Sequence, residues 1–139
     1  MAGPVVVDTM IASAWLGVRR SQRQIRWAPV LEAAIWVLPF VVVAEMRFGA
    51  EVAGWGARRR GVLDRLVARA GVVPPLDEVT DAYVDLRAWC VRTGHGLGAK
   101  DHEANRWVAA VAVAGGYPLA TEDAIFDDVV TLRRKFPDA

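Results

Sequence analysis

Val5-Val6-Val7-Asp8-Thr9 is a β-branched apolar run ended by an acid and a hydroxyl. Three apolar residues in a row with no polar alternation read as a strand buried on both faces, the habit of parallel sheets. Asp8 then falls at the carboxyl end of that strand, and Asp8-Thr9 opens a helical pattern through Ile11, Ala12, Trp15 and Leu16 that stops at Gly17. The same alternation recurs downstream. A helix is expected from Ser21 to about Trp36, bent or interrupted by Pro29. A strand follows over Trp36–Phe40, then a helix from Val41 to about Val52 with Glu45 near its start, and a helix over Ala57–Ala70. Val72-Val73 reads as a third strand and Asp77–Thr93 as an acid-capped helix. Asp101–Ala114 is a further helix stopped by Gly115-Gly116. Pro118-Leu119-Ala120-Thr121 reads as a fourth strand ending at Glu122-Asp123, and Val129–Leu132 as a fifth, edge strand. Strands alternating with helices predict an α/β sandwich with a mainly parallel sheet and helices on both faces.

The 139 residues fit one domain over residues 1–139, and 54% hydrophobic against 24% charged residues excludes a disordered chain. A single cysteine, Cys90, excludes a disulfide framework and suits a reducing cytoplasm. Met1 is followed by Ala-Gly-Pro without a basic segment, so no signal peptide is expected. The most apolar stretch, residues 33–44, is 12 residues long between Glu32 and Glu45. Crossing a bilayer takes about 20, so no membrane span is expected. Residues 1–70 hold 10 basic and 5 acidic side chains, and residues 71–139 hold 7 and 11. The basic half offers Arg19, Arg23 and Arg26 at helical spacing, with Arg20 and Arg58-Arg59-Arg60, as a surface for a polyanion; a solvated face or a protein contact would look the same.

Ligands in an open parallel sheet bind outside the carboxyl ends of the strands. Asp8, Glu45 and Asp123 all fall just past such ends, and Asp101, His102, Glu103 and Asn105 open the helix leading into the fourth strand. Each has an ordinary alternative role: Asp8 as a helix cap, Glu45 as a surface acid, Asp123 as a turn former. Together they form an oxygen-only set that suits Mg²⁺ or Mn²⁺. His95 and His102, with no cysteine near, read as structural or surface histidines. The loop Gly94–Gly98 lacks the spacing of a phosphate-cradling motif.

Taken in order, Val5-Val6-Val7-Asp8-Thr9, Ala44-Glu45-Met46-Arg47-Phe48-Gly49, Asp101 through Ala112 and Pro118 through Phe126 resemble the PIN domain, and more closely the VapC-type toxins of bacterial toxin–antitoxin pairs. The resemblance covers about residues 4–132. It implies an α/β/α domain with a four- or five-stranded parallel sheet and a divalent-metal endoribonuclease held in check by a small antitoxin protein. It also implies a homodimer, with apolar helix faces near Trp27, Ile35, Trp55 or Leu63 as interface candidates. The family's acids match Asp8, Glu45 and Asp123, with Thr9 and Thr121 as supporting neighbours. Asn105 stands where the pattern most often has Asp, so one negative charge is missing. Asp101, at i and i+4 with Asn105 on the expected helix, is the nearest acid that could replace it. The missing charge also suits a PIN-like domain that binds RNA or a protein without cutting. A haloacid-dehalogenase-type phosphatase needs an acid two residues after its nucleophilic Asp; here that residue is Met10.

Overall fold

The computed structural model describes residues 3–137; Met1, Ala2, Asp138 and Ala139 of the expected 1–139 domain lie outside the described residues. The chain runs β1 (Pro4–Val7), α1 (Thr9–Ser13), α2 (Gln22–Leu31), β2 (Ile35–Pro39), α3 (Phe40–Val52), α4 (Ala57–Arg69) and β3 (Gly71–Val73). It continues through α5 (Asp77–Thr93), α6 (Glu103–Gly115), β4 (Leu119–Ala120) and β5 (Arg134–Lys135), with single 3₁₀ turns at Ala14–Leu16, Gly96–Gly98, Lys100–His102 and Ala124–Phe126. All pairings are parallel, in the order β3-β2-β1-β4-β5.

Val5, Val6 and Val7 are exposed by only 4%, 0% and 0%. Consecutive residues of a strand face opposite ways, so helices must cover both faces of β1. The strand order reverses at β1, whose neighbours are β2 on one side and β4 on the other. The crevice above β1 and β4 is therefore the switch point where such sheets bind ligands. The register pairs Val7 with Ala120, which brings the next residues of the two strands, Asp8 and Thr121, to the same edge.

Several expected boundaries move. The edge strand is not Val129–Leu132 but Arg134–Lys135, which pairs with β4. Val129 is instead buried in the core, and Thr131 turns the chain at a φ of 67°. α2 ends at Leu31 rather than near Trp36, two residues beyond Pro29. A proline there leaves the Ile25 carbonyl without its helical donor, and the chain leaves the helix within that turn. The interface expected near Trp27 and Leu63 is also corrected, since both side chains lie inside the core at 0% and 2% exposure. Among the described residues no helix is long and apolar enough to cross a membrane.

Candidate functional site

Asp8 caps α1: its Oδ1 accepts a 3.0 Å hydrogen bond from the Ile11 N–H. Its backbone N–H continues the sheet, donating to the Ala120 carbonyl at 3.3 Å. The side chain is buried, and burial pushes its carboxyl above the ordinary 3.8; the Thr121 side chain and the Ile11 N–H act the other way, and the negative charges of Asp123 and Glu122 push it further up. Among the described residues no basic side chain forms an ion pair with Asp8. A carboxylate placed under burial and like charge at once is unstable as an isolated anion and is stabilised when a cation joins it.

Asp123 shares this edge through β4. Thr121 is buried, and its Oγ1 accepts from the Asp123 N–H at 3.1 Å while facing Asp8. Asp123 also caps the turn Ala124–Phe126, accepting from the Ile125 N–H at 3.0 Å. The capping roles and the acid cluster thus coexist: the caps fix both carboxyl groups by one oxygen each. Glu45, exposed in the second turn of α3, is tied to the same edge by Thr9, whose hydroxyl donates to Oε1 at 2.8 Å.

α6 delivers the chain to the amino edge of β4, so its first turns lie toward the carboxyl edge. Trp107 marks this: its ring packs 5.6 Å from that of Phe40, the residue just past β2, and stacks on Tyr83 at 4.1 Å. Asn105 is half-buried in the first turn, with Nδ2 3.1 Å from His102 Nδ1. That contact engages the amide nitrogen and directs Oδ1 elsewhere. The expectation for Asp101 fails. It is exposed in the 3₁₀ turn Lys100–His102, before α6 begins at Glu103, so it shares no α-helical face with Asn105.

The cause is Arg106, whose role the sequence pattern does not reveal. It is only 1% exposed. Its Nη1 donates to the Leu97 and Ala99 carbonyls at 2.9 and 2.7 Å, and Nη2 donates to Glu103. Tyr83 in turn donates to Glu103 Oε1 at 2.8 Å. This fork ties the Leu97 and Ala99 carbonyls to the first turn of α6 and so holds the chain before Glu103 out of the helix. An arginine followed by an apolar run on a core helix is the one signal the sequence offers. His95 is structural as expected: Nδ1 accepts from the Leu97 N–H at 3.0 Å, so Nε2 donates to the Asp127 carbonyl at 2.8 Å.

Glu122 is a second working residue that the sequence pattern does not single out. It receives Arg23 Nε at 2.8 Å, Arg26 through two nitrogens, and Trp27 Nε1 at 2.9 Å. Burial alone would raise its carboxyl; the Arg26, Arg23 and Trp27 donors bring it down to about 2. The expected stripe of Arg19, Arg23 and Arg26 is therefore not one helix face. Arg19 lies in the bend before α2, and only Arg23 and Arg26 are on the helix. Arg59 lies over the Trp55 ring at 3.9 Å and Arg60 donates to the Trp55 carbonyl at 2.7 Å, so these two hold the α3–α4 turn. Arg20 pairs with Glu32 at 3.5 Å.

Among the described residues no three His, Cys, Asp or Glu side chains form a closed metal cage. Mg²⁺ does not require one, since it is commonly held by one or two carboxylates with waters and a substrate phosphate completing its shell. The Asp8–Asp123 pair, an all-oxygen set with unbalanced negative charge, fits such an ion.

The family model for the PIN domain matches residues 5–132. Over 125 residues the chain is 31% identical to the VapC ribonuclease Y4jK of Sinorhizobium fredii, covering 86% of this chain and 86% of that protein. The fold matches a chain in the crystal structure of VapBC2 from Rickettsia felis bound to a promoter DNA fragment, with a TM-score of 0.78, 17% identity, and coverage of 95% and 97% of the two chains. VapBC-1 from nontypeable Haemophilus influenzae gives a TM-score of 0.75 at 17% identity, covering 99% of each chain.

Proposed function

The chain belongs to the PIN domain family, and on that premise we propose that it is a metal-dependent endoribonuclease, the toxin of a VapBC-type toxin–antitoxin pair, acting as a single domain in the cytoplasm. The observation that carries this reading is the pairing of Asp8 and Asp123 at the switch point of the sheet, with Asp8 buried, facing like charge and in no ion pair among the described residues.

Asp8 and Asp123 would hold Mg²⁺ or Mn²⁺, with Asn105 Oδ1 as a neutral oxygen and Glu45 as a further ligand or a base. Bound there, the ion supplies acidity to a water and neutralises charge on the attacked phosphate. The protein's own part is orientation. Thr121 faces Asp8 and holds the Asp123 backbone. Thr9 fixes Oε1 of Glu45 and leaves Oε2 to take a proton from water. Arginines of the basic half contact the RNA backbone. The antitoxin is the protein partner, by analogy with the VapBC complexes whose toxin fold this chain shares, and a homodimer is the proposed assembly.

Antitoxin-free protein should cut RNA with Mg²⁺, lose that activity in EDTA, and lose it in Asp8→Ala. Asn105 favours a second reading, a domain that binds RNA without cutting it. Binding in EDTA with no cleavage at saturating Mg²⁺ or Mn²⁺, across tRNA, rRNA and mRNA, would select that one.

A further inference from the structure

We propose that Glu122 is a positioning residue for RNA: it grips Arg23 and Arg26 from one side and presents their remaining donors to a groove beside the acid pair, where backbone phosphates bind. This rests on the RNA-binding half of the function proposed above. Glu122 lies between Thr121 and Asp123 at the carboxyl edge of β4. Its two oxygens receive donors from Arg23, Arg26 and Trp27, which uses nearly all the lone pairs a carboxylate offers.

Trp27 separates this from an ordinary surface ion pair. Such pairs stabilise little because both side chains must be immobilised. Trp27 is fully buried, so its Nε1 is a fixed point of the core, and it fixes the carboxylate. The carboxylate then fixes two long side chains that would otherwise move freely. Glu122 takes Arg23 at Nε, and Arg26 at Nε and Nη2. Both terminal nitrogens of Arg23 and Nη1 of Arg26 have no protein partner among the described residues.

Arg23 and Arg26 line a groove of about 590 Å³ together with Arg19, Ser21, Gln22 and Met10. The groove is joined to the acid pair through Glu122, which holds both arginines and is followed directly by Asp123. Three arginines on the groove against one acid behind it leave it cationic. Arg23, held at Nε, presents both terminal nitrogens as a preset fork to a phosphate and Arg26 adds Nη1, with less conformational entropy to lose on binding. The opposing possibility is that Glu122 competes with phosphate and masks the arginines. The two predict opposite signs.

The test is binding of a fluorescent, mixed-sequence single-stranded RNA in EDTA, followed by anisotropy across a salt series. Proteins compared are wild type, Glu122→Ala, Glu122→Gln and Arg23→Ala/Arg26→Ala, each checked for a cooperative melt. Glu122→Ala is expected to weaken binding about fivefold or more. It should also flatten the dependence of log K on log salt by about 0.7 for each phosphate that the arginines no longer neutralise. The double arginine variant should weaken binding at least as much, and Glu122→Gln, which keeps one acceptor oxygen, should fall between. A role confined to folding would lower the melting temperature and leave the salt slope intact. Should Glu122→Ala fail to fold, the glutamine and arginine variants carry the same comparison.

Glu122 variants that bind as tightly as wild type or tighter, with the full slope, would overturn the proposal. So would an arginine variant that binds normally, or a wild type that binds no RNA. The metal-free readout separates this from catalysis. A protein that shows the binding pattern but cuts nothing with Mg²⁺ loses the ribonuclease reading alone. One that cuts RNA but ignores these substitutions loses the Glu122 proposal alone.

Discussion

The Thr9 hydroxyl donates a 2.8 Å hydrogen bond to Glu45 Oε1 across 36 positions of sequence, so the residue next to Asp8 anchors the acid of α3. Two carboxylates that start from different strands are thereby linked by one backbone step and one hydrogen bond. Thr9→Ala should lower RNA cleavage about fivefold to tenfold, the effect of removing one solvent-exposed hydrogen bond worth about 1 kcal/mol. Thr9→Ser should restore most of it, because the hydroxyl is what acts. Equal rates for all three proteins would remove Thr9 from the machinery.

Asp8→Asn should reduce cleavage on the order of 100-fold or more. Asparagine caps a helix about as well as aspartate, so the bond to Ile11 survives and the metal-free melting temperature should hold or rise. The pH dependence has a definite sign. Folded Asp8 keeps its proton to a higher pH than the ordinary 3.8 of the unfolded chain. Between those values the folded state binds more protons, so this group's contribution to stability falls as pH rises. Urea titrations at several pH values should show that decline in wild type and lose it in Asp8→Asn.

Glu122 carries the opposite sign. Its carboxyl is lowered from 4.5 to about 2, so its stabilisation is complete above 4.5 and is lost as pH falls toward 2. Glu122→Gln should flatten acid unfolding in that interval, seen by tryptophan fluorescence, and destabilise the protein by about 1–2 kcal/mol at neutral pH. An unchanged acid limb would mean that the ion pairs do not persist in solution.

Asn105→Asp should tighten Mg²⁺ binding on the order of tenfold through the added charge, measured by titration calorimetry. Asp101→Asn should change it little. Asp101 sits in a separate 3₁₀ turn and is exposed, so the two substitutions should add to within about 0.5 kcal/mol in a double-mutant cycle. Coupling beyond that would restore Asp101 to the site.

Arg106→Ala should destabilise the fold by about 2–4 kcal/mol, because the Leu97 and Ala99 carbonyls lose their donor and a large buried side chain is removed. Arg106→Lys should recover less than half of this, since one ammonium cannot reproduce the planar fork. Chemical denaturation of the two variants side by side measures the difference.

The sheet is legible because its strands are apolar and end at acids or prolines. Val5–Val7 and the segments around Val37 and Val72 pair as their composition suggests. β5 is not legible, because two charged residues, Arg134 and Lys135, pair with β4 and carry no apolar strand pattern, while the more apolar Val129–Leu132 serves as a plug and a turn. Placing Asp8, Glu45 and Asp123 past strand ends needs only strand order and polarity. The start of α6 cannot be read this way. It is set by a guanidinium reaching back to two carbonyls, and such a contact leaves no periodic trace in sequence. Glu122 is hidden for a related reason: its partners lie 95 to 99 positions away.

Thr121, Glu122 and Asp123 each do a different job in three consecutive positions: one faces the buried acid of β1, one holds two arginines of α2, one completes the carboxylate pair. The tripeptide is thus read by position as well as by composition. Deleting one residue in β4 would hand the arginines the acid proposed for the metal and turn the glutamate toward Asp8, whereas inserting one would set Thr121 against the arginines and Glu122 in the place of Asp123. Every side chain would still be present, and the site would be lost. Substitutions here should therefore grade activity, whereas a change of length should abolish it, a contrast that a codon-level scan of single substitutions and single-codon deletions would display directly.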